Sequence, residues 1–425
     1  MKDIAEKSLF DIPGGWKTLL WILVLLGIGM FIAGLMTGGE ESVVRTWQAF
    51  LINTVFWGGI AHAGVLFAVI WQLTDAKWGR AFKRLAEACA GFLPISFLMF
   101  MVVFFGSHVL YEWTHTPFLH HGEAVKQGWL NLPFFISRNV FWLLLIYGIS
   151  YWFIKTSIKP DIALARRLIG SDWGGKFADW VLEDYGEHET EVIRLEKLSR
   201  KIAPVLAFVY SIGGSFLAWD FVMTLDQTWF STLFGVFVMI GNMHAFLGLM
   251  LVVAVTVRQK FGIEEYISIN RLHDLAKMTF AFSLLWTYMG YSQYIVIWYA
   301  DLPEETPYLI IRSMNAPWNT LFLVIILWVF VSVFLGLLPR TLCRIPNYIR
   351  LMGIWVMLGQ LLSVYIMVVP SLQHDGHYHI FMGMHELLIT LGFVGAFFLC
   401  YLAFLGKLPI LPISDKHLCR TWHGH

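Results

Sequence analysis

The chain has 425 residues, 58% of them hydrophobic and only 14% charged, whereas a water-soluble domain carries about a quarter charged residues. A formal net charge of +1 gives no electrostatic basis for binding nucleic acid. Four scattered cysteines (Cys89, Cys343, Cys400, Cys419) and the absence of a C-x-x-C-H stretch leave no cage for iron–sulfur or zinc and no covalent haem attachment, so they read as free thiols.

A helix that crosses the hydrocarbon needs roughly 20 apolar residues. Ten such runs follow in order, at about 16–36, 46–73, 85–110, 136–156, 202–223, 229–257, 275–300, 317–338, 347–370 and 384–406. The first follows a mixed-charge start (MKDIAEK) and lacks a small-x-small cleavage pattern, so it reads as a retained helix. The second holds His62 at its middle, in GGIAHAGVLF. Before the third, DAKWGRAFKR (75–84) sets basic residues beside aromatics, which suits an interfacial helix near anionic lipid. That helix carries Glu87 near its start and leads to His108 and Glu112.

After the fourth run comes a polar insert, 157–201, read as a solvated connector or, more sharply, as a docking surface for a soluble partner. The fifth run ends in SFLAWDFVMTLDQTWFSTLFG. Asp226, in the turn, is expected to accept backbone N–H groups and cap the sixth helix. Asp220 lies about one turn inside the membrane end, has no such role in the sequence, and is therefore weighted towards function. The sixth run has His244 at its middle, in MIGNMHAFLG. The seventh carries His273, Asp274 and Lys277 at its start and Ser292-Gln293 towards its end. Asp274 and Lys277 are spaced i, i+3 and can pair on one helix. Glu87 and Lys277 are of opposite sign at matching positions, and either pair across the molecule or snorkel to the headgroups. Loop histidines, including those of QHDGHYH, read as solvated rather than as a metal site.

All but four of the 30 Lys and Arg (Arg45, Lys126, Arg138, Arg312) fall at the termini and in the even-numbered loops, so the positive-inside rule places both termini in the cytoplasm. An internal repeat is also legible. Trp47 and Trp229 each precede the midplane histidine by 15 residues, and Leu85-Ala86, Phe92 and Thr116-Pro117 recur at an offset of 190 as Leu275-Ala276, Phe282 and Thr306-Pro307. Asn139-x-x-Trp142 then matches Asn315-x-x-Trp318. The expected fold is an all-α polytopic membrane protein of ten transmembrane helices. Two parallel-repeat four-helix bundles form its body: helices 2–5 (46–156 and 202–223, interrupted by the loop) and helices 6–9 (229–370). Helix 1, within 1–45, and helix 10, within 384–425, are peripheral.

His62 and His244 then occupy equivalent midplane positions, and three readings stand. Each is a packed histidine bonded to a neighbour, a station for protons or quinol hydroxyls, or an axial ligand of a b-type haem. The last requires histidines that face each other within one bundle.

The stretches AHAGVLFAVIWQLTDAKWGRAFKRLAEACAGFLPIS, GWLNLPFFISRNVFWLLLIYGIS, WDFVMTLDQTWFSTLFG, HDLAKMTFAFSLLWTYMGYSQYIVIWYADLPEET and VVPSL resemble the NrfD-like (polysulfide reductase membrane subunit) family. Within it they are most similar to the ActF-type membrane subunits of bacterial alternative complex III, over roughly residues 46–372. The related ActC-type subunits share the SQY…WY…LPEET block, so the choice rests on the helix 2–3 and 136–150 stretches. The resemblance implies two four-helix bundles with extra helices, in the bacterial inner membrane. It implies partners: an ActC-like membrane subunit, an iron–sulfur subunit, a multihaem c subunit, lipids and, as a further associate, a terminal oxidase. Iron–sulfur clusters and haem c would sit on those partners. This chain would bind no redox centre, with quinone or quinol as its one candidate ligand. Carried over by motif position, Asp220, Asp226, His273, Asp274, Lys277, Gln293 and Tyr294 are nominated, beside His62, His244 and Glu87, for a proton path or quinone site. One departure is that Ser363 and Val364 stand where relatives carry an acidic–basic pair before the tyrosine, here Tyr365. The expected role is thus a membrane subunit of a quinol-oxidising electron-transfer complex. A stand-alone secondary transporter and a structural anchor are the alternatives.

Overall fold

The structure is a computed structural model that describes residues 6, 10, 12–116, 119–120, 123–124, 126–373 and 379–415. Pro117, His121, His374, His377, Cys419 and the side chain of His120 lie outside the described residues. The chain is an all-α polytopic membrane protein, and among the described residues the only extended pairing is a two-residue hairpin, Leu119–His120 against Glu123–Ala124. The long helices are α1 Gly14–Met36, α2 Glu40–Thr74, α3 Arg80–Phe105, α4 Leu132–Ile169, α5 His188–Phe221, α6 Phe234–Phe261, α7 Ile269–Ala300, α8 Trp318–Leu337, α9 Pro346–Val368 and α10 Met384–Leu405.

Among the described residues nine of these are both long and apolar enough to cross a membrane. The tenth expected span, α7, has the length, at 32 residues, but its polar residues dilute its hydropathy. His273, Asp274 and Lys277 open it, and Thr279, Ser283, Thr287, Ser292 and Gln293 follow. A helix this polar is costly in contact with lipid unless its hydroxyls are satisfied. They are: Ser283 donates to the Val329 carbonyl (2.7 Å), and Thr279, Thr287 and Ser292 donate back to their own helix. Val329 can accept because α8 widens to a π-helical stretch over Ile326–Ser332, which loosens its own ladder.

Local chemistry explains the other boundaries. Asn131 caps α4 by accepting the Phe134 N–H (3.0 Å), and Ser268 accepts from Arg271 N–H (3.4 Å) at the start of α7. α3 is not one regular helix: tight 3-10 turns occupy Arg80–Phe82 and Ala88–Phe92, and Pro94 restarts it. Within that turn, a side chain at Gly91 would meet the Cys400 carbonyl at 2.7 Å, so glycine there lets α10 approach.

α2, α3, α4 and α5 pack as one group and α6, α7, α8 and α9 as another, with α2 and α6 meeting along the seam. These two are buried along almost their whole length, which is why their apolar residues show no amphipathic stripe. α1 and α10 pair on the flank of the first group, against α2 and α3. Their crossing is a glycine contact, where a Cβ on Gly27 would lie 2.5 Å from the Gly392 Cα. Gly392→Leu is therefore expected to pry α1 from α10 and lower the thermal unfolding temperature in detergent. Gly29→Leu, which points into open space, should leave it unchanged, and equal effects would refute the contact's importance.

The 157–201 insert is a solvated connector only in part: 157–165 is mostly buried, while most of 170–201 is exposed or half-buried. α4 runs on to Ile169 and α5 begins at His188, so helix extends through most of it, leaving a link with a short helix at Gly175–Val181. Ile158, Asp161, Ile162 and Ala165 are buried. The tail after α10 folds back towards them: Leu408, Ile410, Leu411 and Ile413 are buried, and Ser414 N–H donates to Asp161 Oδ1 (2.8 Å).

Candidate functional site

The buried polar residues fall into three groups along the helix axes, and among the described residues no hydrogen bond joins one group to the next.

At the α3 start, Arg84 is clamped between two carboxylates. Its Nε donates to Asp161 Oδ2 (2.7 Å), its Nη1 meets Glu87, and its Nη2 donates to the Ser157 carbonyl (2.8 Å). Ser157 Oγ donates to Glu87 Oε1 (2.6 Å), and Lys83 Nζ lies 4.0 Å from the same oxygen. Glu87 and Asp161 are both fully buried. A cavity of about 150 Å³, lined by Arg80, Lys83, Arg84, Ser157, Glu196 and Asp415, borders the cluster. Two expectations fail here. Glu87 does not reach Lys277, which pairs instead with Asp274 on its own helix (2.6 Å), because the nearer Arg84 saturates Glu87. Nor is 75–84 one interfacial helix: 75–79 is turn, and helical structure begins only at Arg80. Arg80 pairs with Asp75 (2.6 Å) and Asp415 (2.5 Å), Arg84 points inward, and Lys77 alone of the four is exposed.

At the middle, His62 Nε2 shares a hydrogen bond with Tyr147 Oη (3.0 Å), which bonds Ser96 Oγ (2.8 Å) in turn. Three groups from α2, α4 and α3 thus form a continuous chain. The Tyr210 ring centroid lies 5.8 Å from that of His62, and its hydroxyl bonds Ser150 (3.1 Å). His62, Phe100, Tyr210, Phe221, Met239 and Asn242 line a cavity of about 50 Å³ between the two helix groups. His244 is fully buried, and its Nδ1 is bonded to Gln360 Nε2 (2.8 Å) on α9. The two histidines therefore do not occupy matching settings. His62 ties to the third helix of its group, whereas His244 ties to the fourth of its own.

Towards the far end, Asp220 takes a two-pronged ion pair from Arg138, Nε to Oδ2 (2.6 Å) and Nη2 to Oδ1 (2.7 Å), and Asn139 adds a third bond (2.8 Å). The Arg138 guanidinium stacks 4.0 Å from the Trp129 ring centroid. Asp220 thus has the structural role that its sequence position did not reveal. Asp226 does accept backbone N–H groups, from Thr228 (3.0 Å) and Trp229 (3.3 Å), but it closes the turn and does not cap α6, which starts at Phe234. Gln293 accepts from Ser231 (3.1 Å), tying α7 to the segment before α6, and Tyr294 is half-buried beside it. His273 is half-buried at the α7 start, with Asp274 and Lys277. Ser363 and Val364 are buried in α9, and Tyr365 Oη bonds both the Phe381 carbonyl (3.0 Å) and its N–H (2.8 Å).

The sequence reading missed Arg84, Asp161, Arg138, Asn139, Tyr147, Ser96 and Gln360 as site partners. Adjacent Arg138-Asn139 in an otherwise apolar run was the available signal. The remaining partners come from distant helices and leave no mark of spacing.

His62 joins a chain of groups that both donate and accept hydrogen bonds, and it lines a cavity. Imidazole and hydroxyl groups in such a chain can exchange a proton with water in the cavity, and the chain ends where Ser96 Oγ donates to the Leu93 carbonyl (2.9 Å). No protein-family model matches the sequence, and no curated protein matches it either.

Proposed function

We propose that the chain is a membrane subunit of a quinol-oxidising electron-transfer complex of the alternative complex III type, and that it contributes a proton path. In this reading electrons run through the iron–sulfur and multihaem c partners, beside an ActC-like membrane subunit. The observation that carries the proton path is the His62–Tyr147–Ser96 chain opening on a cavity of about 50 Å³. That volume suits one or two waters at about 30 Å³ each, whereas pockets for ring-sized ligands run from about 300 Å³ upward. The residues around His62 therefore do not fit a quinone, and the quinone-slot alternative loses support at the midplane.

Placement in the bacterial inner membrane with cytoplasmic termini is part of the same proposal. Its support is that all four cations on the proposed outer side have internal bonds. Arg45 pairs with Glu386 (2.7 Å), Arg138 with Asp220, and Lys126 donates to the Gln227 carbonyl (2.9 Å). Arg312 donates to the Ile366 and Met367 carbonyls and to Ser371.

The test begins with gentle purification from the native membrane. Co-purifying subunits are identified by mass spectrometry, and visible and EPR spectra are recorded. Multihaem c and iron–sulfur signals that travel with the chain are expected, and a colourless solitary chain overturns the proposal. In the assembled complex, Tyr147→Phe is then expected to cut proton movement per electron severalfold while leaving the subunits together. The structural-anchor reading has one observation in its favour, the buried Asp220–Arg138–Asn139 group, in which three hydrogen bonds hold the Asp220 carboxylate. Unchanged proton movement in Tyr147→Phe would decide for it.

A further inference from the structure

We infer that the groove between α1, α3 and α10 is a binding site for an anionic membrane phospholipid, with its headgroup at the Lys17–Lys407 end. The groove encloses about 980 Å³ and is walled by apolar side chains, among them Trp21, Ile28, Phe50, Met99 and Phe393. It is some twenty times larger than the midplane cavity and within reach of a lipid's acyl chains. The space arises from the sequence. The Gly27–Gly392 contact pins α1 to α10 at one level, while Ala396 and Ala403 on the same α10 wall are too small to fill the gap beside it.

Charge sits at one end only. Lys17 is in the first turn of α1 and Lys407 lies just past the end of α10, and since the two helices run antiparallel both lysines come to the same level. Phe10 closes this end. A side chain on Gly406 would meet its carbonyl at 2.6 Å, and Lys260 Nζ stands 5.3 Å from its ring centroid. Lys17 and Lys407 thus line one end of an apolar slot, with Lys260 behind Phe10. A phosphodiester above two acyl chains matches that layout, since basic pockets between membrane helices take anionic headgroups. A neutral quinone ring would leave the lysines without a counter-charge.

The full chain, delipidated in mild detergent, is to be reconstituted in nanodiscs of equal phosphatidylglycerol and phosphatidylcholine, re-extracted and weighed intact by native mass spectrometry. Retention of phosphatidylglycerol over phosphatidylcholine of about 25-fold is expected, the two lining lysines being worth about fivefold each near the surface. Lys17→Glu with Lys407→Glu, both at exposed positions, should abolish the preference without unfolding the chain. Ala403→Trp, also exposed and inside the groove, should lower retention of both lipids. Equal retention by the unmodified chain, an unchanged preference in the double variant, or displacement of both lipids by added ubiquinone would overturn the assignment.

Discussion

Arg138→Ala is expected to cost about 3–5 kcal/mol of stability, the usual result of stranding one partner of a buried ion pair. The loss should appear as a large drop in thermal unfolding temperature in detergent and in membrane yield. Asp220 is fully buried and receives three charge-strengthened hydrogen bonds, two of them from Arg138. Removing the guanidinium leaves a carboxylate with only Asn139. Asp220→Asn removes the charge and leaves the guanidinium over Trp129, so a smaller loss is expected. The comparison separates the roles of Asp220. If Asp220→Asn keeps the fold but stops proton movement, the residue works in the path. If both fall together, it is a tie between α4 and α5. An Arg138→Ala protein as stable as the unmodified chain would remove the ion pair from the account.

Arg84→Ala should be at least as damaging, because one guanidinium serves two buried carboxylates, Glu87 and Asp161. Lys83 lies 4.0 Å from Glu87, and among the described residues no other cation pairs with Asp161. Arg84→Lys should recover only part of the loss, since an ammonium cannot span two carboxylates and the Ser157 carbonyl as the planar fork does. Lys77→Ala, in the expected interfacial stretch 75–84 and exposed, is the control and should be close to neutral. Thermal unfolding of the four proteins in one detergent is the measurement. Arg84→Ala indistinguishable from Lys77→Ala would mean that the cluster contributes nothing to stability. Because Ser414 bonds Asp161, deleting the chain beyond Lys407 should weaken the same cluster from its other side.

The helices were readable because partition into hydrocarbon is decided locally. A run such as WILVLLGIGMFIAGLM needs no knowledge of the rest of the chain to be apolar enough. α7 shows where that rule weakens. Its hydroxyls and Gln293 lower its hydropathy, and its helix is held by bonds such as Ser283 to Val329 that only packing supplies. Order along the helices was legible too. Glu87, the midplane histidines and Asp220 fall at the three levels that their positions within the runs suggest.

Pairing within a helix was legible, as at Asp274–Lys277, but pairing between helices was not. Glu87 was matched with Lys277 through repeat register, yet Arg84 lies one turn away and Asp161 arrives from α4. Asp220 looked unexplained for the same reason, its partner lying 82 residues earlier. By itself the sequence determined an all-α polytopic membrane chain and the order of its ionisable groups along the helices, since both follow from residue-by-residue transfer energies. Tertiary structure alone decided that Asp220 is satisfied, that His62 heads a hydrogen-bonded chain while His244 meets only Gln360, and where space remains. A hydrogen bond depends on a few tenths of an ångström between side chains of different helices, and no periodicity along the chain encodes that distance.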